Sequence, residues 1–165
     1  MDKALFHENI LQKQNPATIK RQARLIRQRL QLMKPALWQM IAEGSKEVAT
    51  QALLASAIKH SLLLGDFMYQ VVKEQWITFE RQLSPLHWNR FMDMCRQVDP
   101  HVLEWSDSTV AKLRQVIFRI LAESGYIDNT RSLKLQHVSI VPEVRNYLLA
   151  NSEDYVIRCM EVTEG

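Results

Sequence analysis

The sequence predicts a mainly α fold, a compact multi-helix globular bundle. Three observations carry that expectation. The 165 residues hold only four Gly and five Pro, too few to punctuate a chain of short strands. Apolar residues recur at spacings of three and four over long stretches, as one face of a helix requires. And a capping residue followed by proline recurs at Asn15-Pro16, Ser84-Pro85, Asp99-Pro100 and, more weakly, Val141-Pro142, which is how a helix starts: the first side chain caps and Pro takes the first helical position.

Residues 3–13 read as a short amphipathic helix with Asp2 as N-cap. Asn15-Pro16 opens a second helix that runs to about Met33, where Lys34-Pro35 breaks it, since a residue before Pro avoids α geometry. Pro35 to Glu43 is a short helix carrying Leu37, Trp38 and Ile41, stopped by Gly44. Ser45 caps the next helix. Its apolar residues Val48, Ala49, Ala52, Leu53, Ala55, Ile58, Leu62 and Leu63 reach nearly all round, which marks it as the central buried helix. Gly65-Asp66 reads as a break with a new cap, followed by an amphipathic helix from Phe67 to about Leu83. Leu86 to Val98 carries Trp88, Phe91, Met92 and Cys95.

Ser106-Asp107-Ser108-Thr109 is a run of N-cap types, and the helix it opens buries Val110, Leu113, Ile117, Ile120 and Leu121 before Gly125 ends it. Leu133 to Val138 alternates like a short strand, so that a small β ribbon near 126–139 follows the helix. Pro142 to about Ala150 is a last short helix, and a tail extends from Tyr155. The whole reads as one helical domain over 1–165, divisible into lobes 1–98 and 99–165.

Hydrophobic residues make up 47% and charged residues 24% of the chain, the balance of an ordinary globular protein. The N-terminus lacks the apolar run of a signal peptide. The most apolar stretch, Val48 to Leu64, is interrupted by Lys59 and His60 and is short for a membrane span. The expectation is a soluble cytoplasmic protein with no membrane partner. Cys95 and Cys159 lie far apart, without metal spacing, and read as small buried hydrophobes.

The net charge is +3, but it is unevenly placed. No acidic residue occurs from Asn9 to Ala42, a window holding Lys13, Lys20, Arg21, Arg24, Arg27, Arg29 and Lys34. Wound at about 100° per residue, Pro16 to Lys34 puts Ile19, Ala23, Ile26, Leu30 and Met33 on one face. Lys20, Arg24, Arg27, Gln31 and Lys34 form a separate stripe roughly 80° wide and about 21 Å long. Such a stripe can touch several phosphates and release their counterions. The plainer reading is a solvated face paired with acids from elsewhere, and the remaining chain is net acidic. A surface helix that serves only solubility usually mixes signs, and this one does not.

A second candidate is the helix from Ser108. Ser108, Lys112, Gln115 and Arg119 line one face, and the order of helix, glycine stop, strand, polar turn and strand is that of a winged-helix module. There Arg131 and Lys134 would sit on the wing. Enzymatic constellations are poor. His7, His60, His87, His101 and His137 are scattered, no Gly-rich phosphate loop exists, no Ser sits in a nucleophile elbow, and Asp93 and Asp99 are isolated. The expectation is no catalytic residue, no metal and no cofactor. Trp38, Trp76, Trp88 and Trp105 occupy apolar helix positions and are read as core.

Three stretches together, RQARLIRQRLQLMKPALWQMI, EVATQALLASAIKHSLLLGDFM and WSDSTVAKLRQVIFRILAESGYID, resemble the BrxA family of bacteriophage exclusion (BREX) systems, in the same order and over most of residues 18–150. The resemblance implies an all-α fold likened to the NusB antitermination family, and a part in binding double-stranded DNA during phage defence. It matches Lys20, Arg21, Arg24 and Arg27 to the family's basic segment, and Trp105, Ser106, Ser108 and Thr109 to its W-S-x-S-T segment. It transfers no catalytic residue. Residues and resemblance together favour a non-enzymatic accessory protein that contacts duplex DNA through the basic helix, with Ser106, Ser108, Thr109, Lys112, Gln115 and Arg119 assisting. The alternatives are a subunit docking on other BREX core proteins, or an RNA-binding NusB-like protein.

Overall fold

Residues 16–163 are described by the computed structural model, and the expected helix over 3–13 with its Asp2 cap, like the Asn15 cap, lies outside them. Nine helices form among the described residues: α1 (Pro16–Gln31), α2 (Pro35–Glu43), α3 (Lys46–His60), α4 (Leu62–Ile77), α5 (Pro85–Val98), α6 (Pro100–Leu103), α7 (Asp107–Glu123), α8 (Pro142–Ala150) and α9 (Asp154–Met160). The mainly α expectation holds. One buried apolar cluster runs from Met33 to Val162 and draws on α2 to α9 together.

The proline starts occur where the sequence places them. Pro35, Pro85, Pro100 and Pro142 open α2, α5, α6 and α8. Ser84 and His87 form a reciprocal capping box, with the Ser84 N–H donating to His87 Nδ1 at 3.2 Å. The Asp99 carboxylate accepts from the His101 N–H at 2.9 Å. Each satisfies a donor that the first helical turn would otherwise leave bare.

α3 is the central helix, with Gln51, Ala52, Ala55 and Ile58 at 3% exposure or less. Gln51 is polar, but its amide has a partner at each end: Nε2 donates to the Ser139 carbonyl at 2.9 Å, and Oε1 accepts from the Val141 N–H at 2.8 Å. It pins the chain entering α8 onto α3.

The break expected at Gly65-Asp66 falls instead at Ser61, where the chain turns by 112° between α3 and α4. Ser61 leaves helical geometry at φ −131°, and its side chain accepts from the Leu64 N–H. Gly65 stays helical, and a side chain there would meet the Tyr155 hydroxyl at 2.4 Å. Its glycine serves close packing, and Asp66 accepts from that hydroxyl at 2.8 Å instead of capping. α4 also stops earlier than expected, at Ile77, and its middle, Phe67–Val72, is π-helical. That segment buries Phe67, whose ring lies 5.5 Å from Trp88, 5.3 Å from Phe91 and 6.0 Å from Phe118. The aromatic knot joins α4, α5 and α7. Of the other tryptophans, Trp76 and Trp105 are half-buried, and Trp38 is exposed, with its indole N–H on the Leu30 carbonyl. Cys159 is buried and Cys95 half-buried. Burial, first of all, pushes the Cys159 thiol up to about 11.

No strand forms among the described residues, so the expected ribbon is corrected to two isolated antiparallel bridges, Ile127 with Leu135 and Gln82 with Lys134. Residues 133–136 therefore sit between two partners. On one side the Asp128 N–H donates to the Lys134 carbonyl and the Gln136 N–H to the Tyr126 carbonyl; on the other the Leu83 N–H donates to the Leu133 carbonyl and the Leu135 N–H to the Arg81 carbonyl, each at 2.9 Å. The segment leaving α4 occupies the edge that a free wing would present.

Candidate nucleic-acid interface

α1 holds the first candidate surface. Ala23 is buried and Ile26 and Leu30 are half-buried, with Met33 buried just beyond the helix end. The side chain of Ile19 lies outside the described residues. With that face turned inward, the helical period turns Lys20, Arg21 and Arg24 to solvent, and all three are exposed. Arg27 is half-buried and holds an interaction of its own. Lys20, Arg24 and Arg27 line a shared concavity of about 390 Å³ along the helix. Among the described residues no carboxylate pairs with Lys20, Arg21, Arg24 or Lys34. Lys34 stands at the α1–α2 corner, its side chain exposed and its backbone N–H donating to the Tyr147 hydroxyl at 2.9 Å.

α7 holds the second. Ile117, Phe118 and Leu121 are buried, which sets Ser108, Lys112, Gln115 and Arg119 outward, and all four are exposed. Lys112 Nζ reaches Gln115 Oε1 at 3.5 Å, a loose contact within the stripe. Ser106 is the N-cap: its hydroxyl accepts from the Thr109 N–H and lies 3.0 Å from Ser108 Oγ and 2.9 Å from Thr109 Oγ1. The W-S-x-S-T segment thus builds the first turn of α7, with Trp105 half-buried beneath it. The signature that carried the resemblance is, in its geometry, a helix start.

Beyond α7, Gly125 takes φ +82°, the left-handed geometry that favours glycine after a helix. Asp128 then holds the polar turn. Its carboxylate accepts from the Asn129 and Lys134 N–H groups and from the Ser132 hydroxyl, and these bonds, the Ser132 bond first, keep its pKa below the ordinary aspartate value. Arg131 and Lys134 are exposed on this turn, beside the 80–87 segment that shares a depression with it.

The structure does not leave α1 and α7 unrelated. Arg29 of α1 and Ile120, Glu123 and Ser124 at the end of α7 line a common cleft of about 280 Å³ over α3. Arg29 is the basic residue that counting by window could not place. It lies nine residues after Lys20, about 180° away around the helix, so it points away from the cationic stripe. Burial lowers its pKa, and among the described residues its Nε finds no hydrogen-bond partner. The signal was in the helical angle, not in the charge.

No group of His, Cys, Asp and Glu able to hold a metal occurs among the described residues, and no single helix there is long and apolar enough to cross a membrane. Fold and surface define the class: an all-α protein with an acid-free cationic helix on one side of an extended apolar core. The chain belongs to the BrxA family, whose profile matches residues 1–152. It is 47% identical over 160 residues to the BREX protein BrxA of Paramagnetospirillum magneticum, covering 97% of this chain and 80% of that one. It is 35% identical over 153 residues to the BREX protein BrxA of Escherichia coli, covering 93% and 72%. A crystal structure of an uncharacterized protein from Magnetospirillum magneticum superposes with a TM-score of 0.87 at 46% identity, over 97% of this chain and 82% of that one.

Proposed function

We propose that this protein serves BREX phage defence as a non-enzymatic accessory that binds double-stranded DNA through α1. The observation that carries this reading is the set Lys20, Arg21 and Arg24, exposed on one helix and without a carboxylate partner among the described residues. Cations with no carboxylate partner among the described residues neutralise backbone phosphates without breaking an ion pair there. α7 adds Lys112, Gln115 and Arg119 as a second exposed set. The edge pairing of residues 133–135 makes it a plain helix beside a short pinned turn, and its role is secondary. The family's BREX membership supplies the setting in which duplex DNA is the relevant polyanion.

A gel-shift series on a duplex of arbitrary sequence, from low to physiological salt, tests the proposal. Affinity falls steeply with salt, and Arg24→Glu/Arg27→Glu lowers the slope of log affinity against log salt by roughly 2. Lys112→Glu/Arg119→Glu has the smaller effect. Undiminished binding by the α1 variant removes α1 from the interface. If that variant instead loses a co-purifying BREX component while its DNA affinity stays weak and unchanged, the basic face docks on an acidic protein surface. Competition by single-stranded RNA that exceeds duplex DNA would redirect the reading to RNA.

A further inference from the structure

The cleft between α1, α3 and α7 combines three features that a packed interior does not leave together. On one wall stands Arg29, half-buried, its Nε unpartnered among the described residues. A charge drawn out of water without a counter-charge is costly, and proteins normally pair it. The carboxylate of Glu123 lines the same cleft, yet makes no ion pair with it. Burial holds the Arg29 guanidinium below its ordinary pKa. Between the two walls the lining is apolar: Leu53, Leu54, Ala57 and Ile120. Leu53 is 49% exposed, so the apolar lining opens to solvent.

We propose that this cleft is a binding site for a small monocarboxylate with an apolar body. A guanidinium recognises a carboxylate by paired, charge-assisted hydrogen bonds, and the ligand's charge would complete Arg29. The leucine and isoleucine side chains would cover a short hydrocarbon or aromatic body, and the volume of about 280 Å³ suits a ligand at the small end of the usual range. Glu123 sets the charge limit. A phosphate or phosphonate dianion would bring its second charge toward that carboxylate, whereas a monocarboxylate need not. The Ser124 and Thr50 hydroxyls at the margin already donate to the Ile120 and Lys46 carbonyls, at 2.6 Å and 2.7 Å, so they can only accept and offer the ligand's oxygens nothing. Arg29 is then the anchoring group. The site stands independently of whether α1 binds DNA.

The methyl-labelled 165-residue chain titrated with hexanoate, 1-hexanol and hexyl phosphate, a dianion just above neutral pH, tests this by NMR. The expected result is saturable movement of the Leu53, Leu54 and Ile120 methyl signals by hexanoate, with Kd on the order of 1 mM. Hexanol and hexyl phosphate bind at least about tenfold more weakly. Arg29→Gln loses about tenfold in hexanoate affinity while its hexanol affinity holds. Leu53→Trp, which fills the mouth and leaves Arg29 in place, abolishes binding and decides the matter if Arg29→Gln does not fold. Equal affinity for hexanol and hexanoate, no saturable shift by about 10 mM hexanoate, or undiminished hexanoate binding in Leu53→Trp each overturns the proposal.

Discussion

α1 and α7 both turn a cationic stripe to solvent, but they are attached to the molecule in different ways. α7 sends Ile117, Phe118 and Leu121 into the core and touches the aromatic knot through Phe118. Its start is fixed by Ser106 and its end by Gly125 and the turn that Asp128 organises. α1, among its described side chains, buries only Ala23. The charges differ as well. α7 mixes Asp107 and Glu123 with Lys112, Arg114 and Arg119, whereas α1 has no acid at all. The lesson is one of division: α7 is primarily a structural helix whose outer face is polar, and α1 is primarily a surface whose inner face is just apolar enough to hold it in place.

The largest test of that difference is a pair of truncations. Leu121 is fully buried in α7, and Leu121→Ala removes its side chain from the core at a cost of about 2–5 kcal/mol in unfolding free energy. Leu25, on α1, is 37% exposed, and Leu25→Ala costs less than about 1 kcal/mol. Urea denaturation with a common slope reads both. Equal costs would show that α1 is as deeply anchored as α7 and would erase the contrast.

A smaller effect separates cap from contact in the Ser106 cluster. Ser106→Ala removes the acceptor for the Thr109 N–H and costs about 1 kcal/mol. If Ser106 acts through capping, Ser106→Asp restores the stability, since Asp caps equally well, and the added negative charge at the helix start is favourable. A DNA contact would behave oppositely, because the same Asp would repel phosphate. Stability and gel-shift measurements on the two variants therefore sort the roles.

Much of this was legible in the sequence because it is local. Cap-plus-proline pairs are settled within four residues, and Pro35, Ser84-Pro85, Asp99-Pro100 and Ser106 all do what their neighbours require. The misplaced break at Gly65 shows where legibility ends. Nothing local distinguishes a glycine that ends a helix from one that admits a tyrosine 90 residues later, and Tyr155 decides it. The ribbon fails for the same reason. Leu133 to Val138 alternates correctly, but its outer edge is taken by Arg81 and Leu83, a pairing across some 50 residues. At the candidate surface, the exposed stripe of α1 follows from helical angle alone. The same angle takes Arg29 off the stripe, but its burial, which makes it differ from the exposed arginines, needed the cleft.

The smallest expected effect concerns the turn beyond α7. Asp128 is exposed, yet its carboxylate accepts from two backbone N–H groups and the Ser132 hydroxyl, and its pKa is depressed in the folded state. The unfolded chain loses those bonds and returns the group to its ordinary value, near pH 4. The unfolded state then binds more protons across the interval between the two values, so stability falls as pH drops through it. The contribution is fully present above the ordinary aspartate value and lost below the depressed one. Solvent screening keeps it small. Asp128→Asn should flatten that stretch of the stability–pH curve while leaving the neutral-pH behaviour of α1 untouched. Acid titration followed by tryptophan fluorescence would read it. A wild-type curve already flat below pH 4 would mean that the turn does not hold the end of α7, and that the two helices are more alike than their packing indicates.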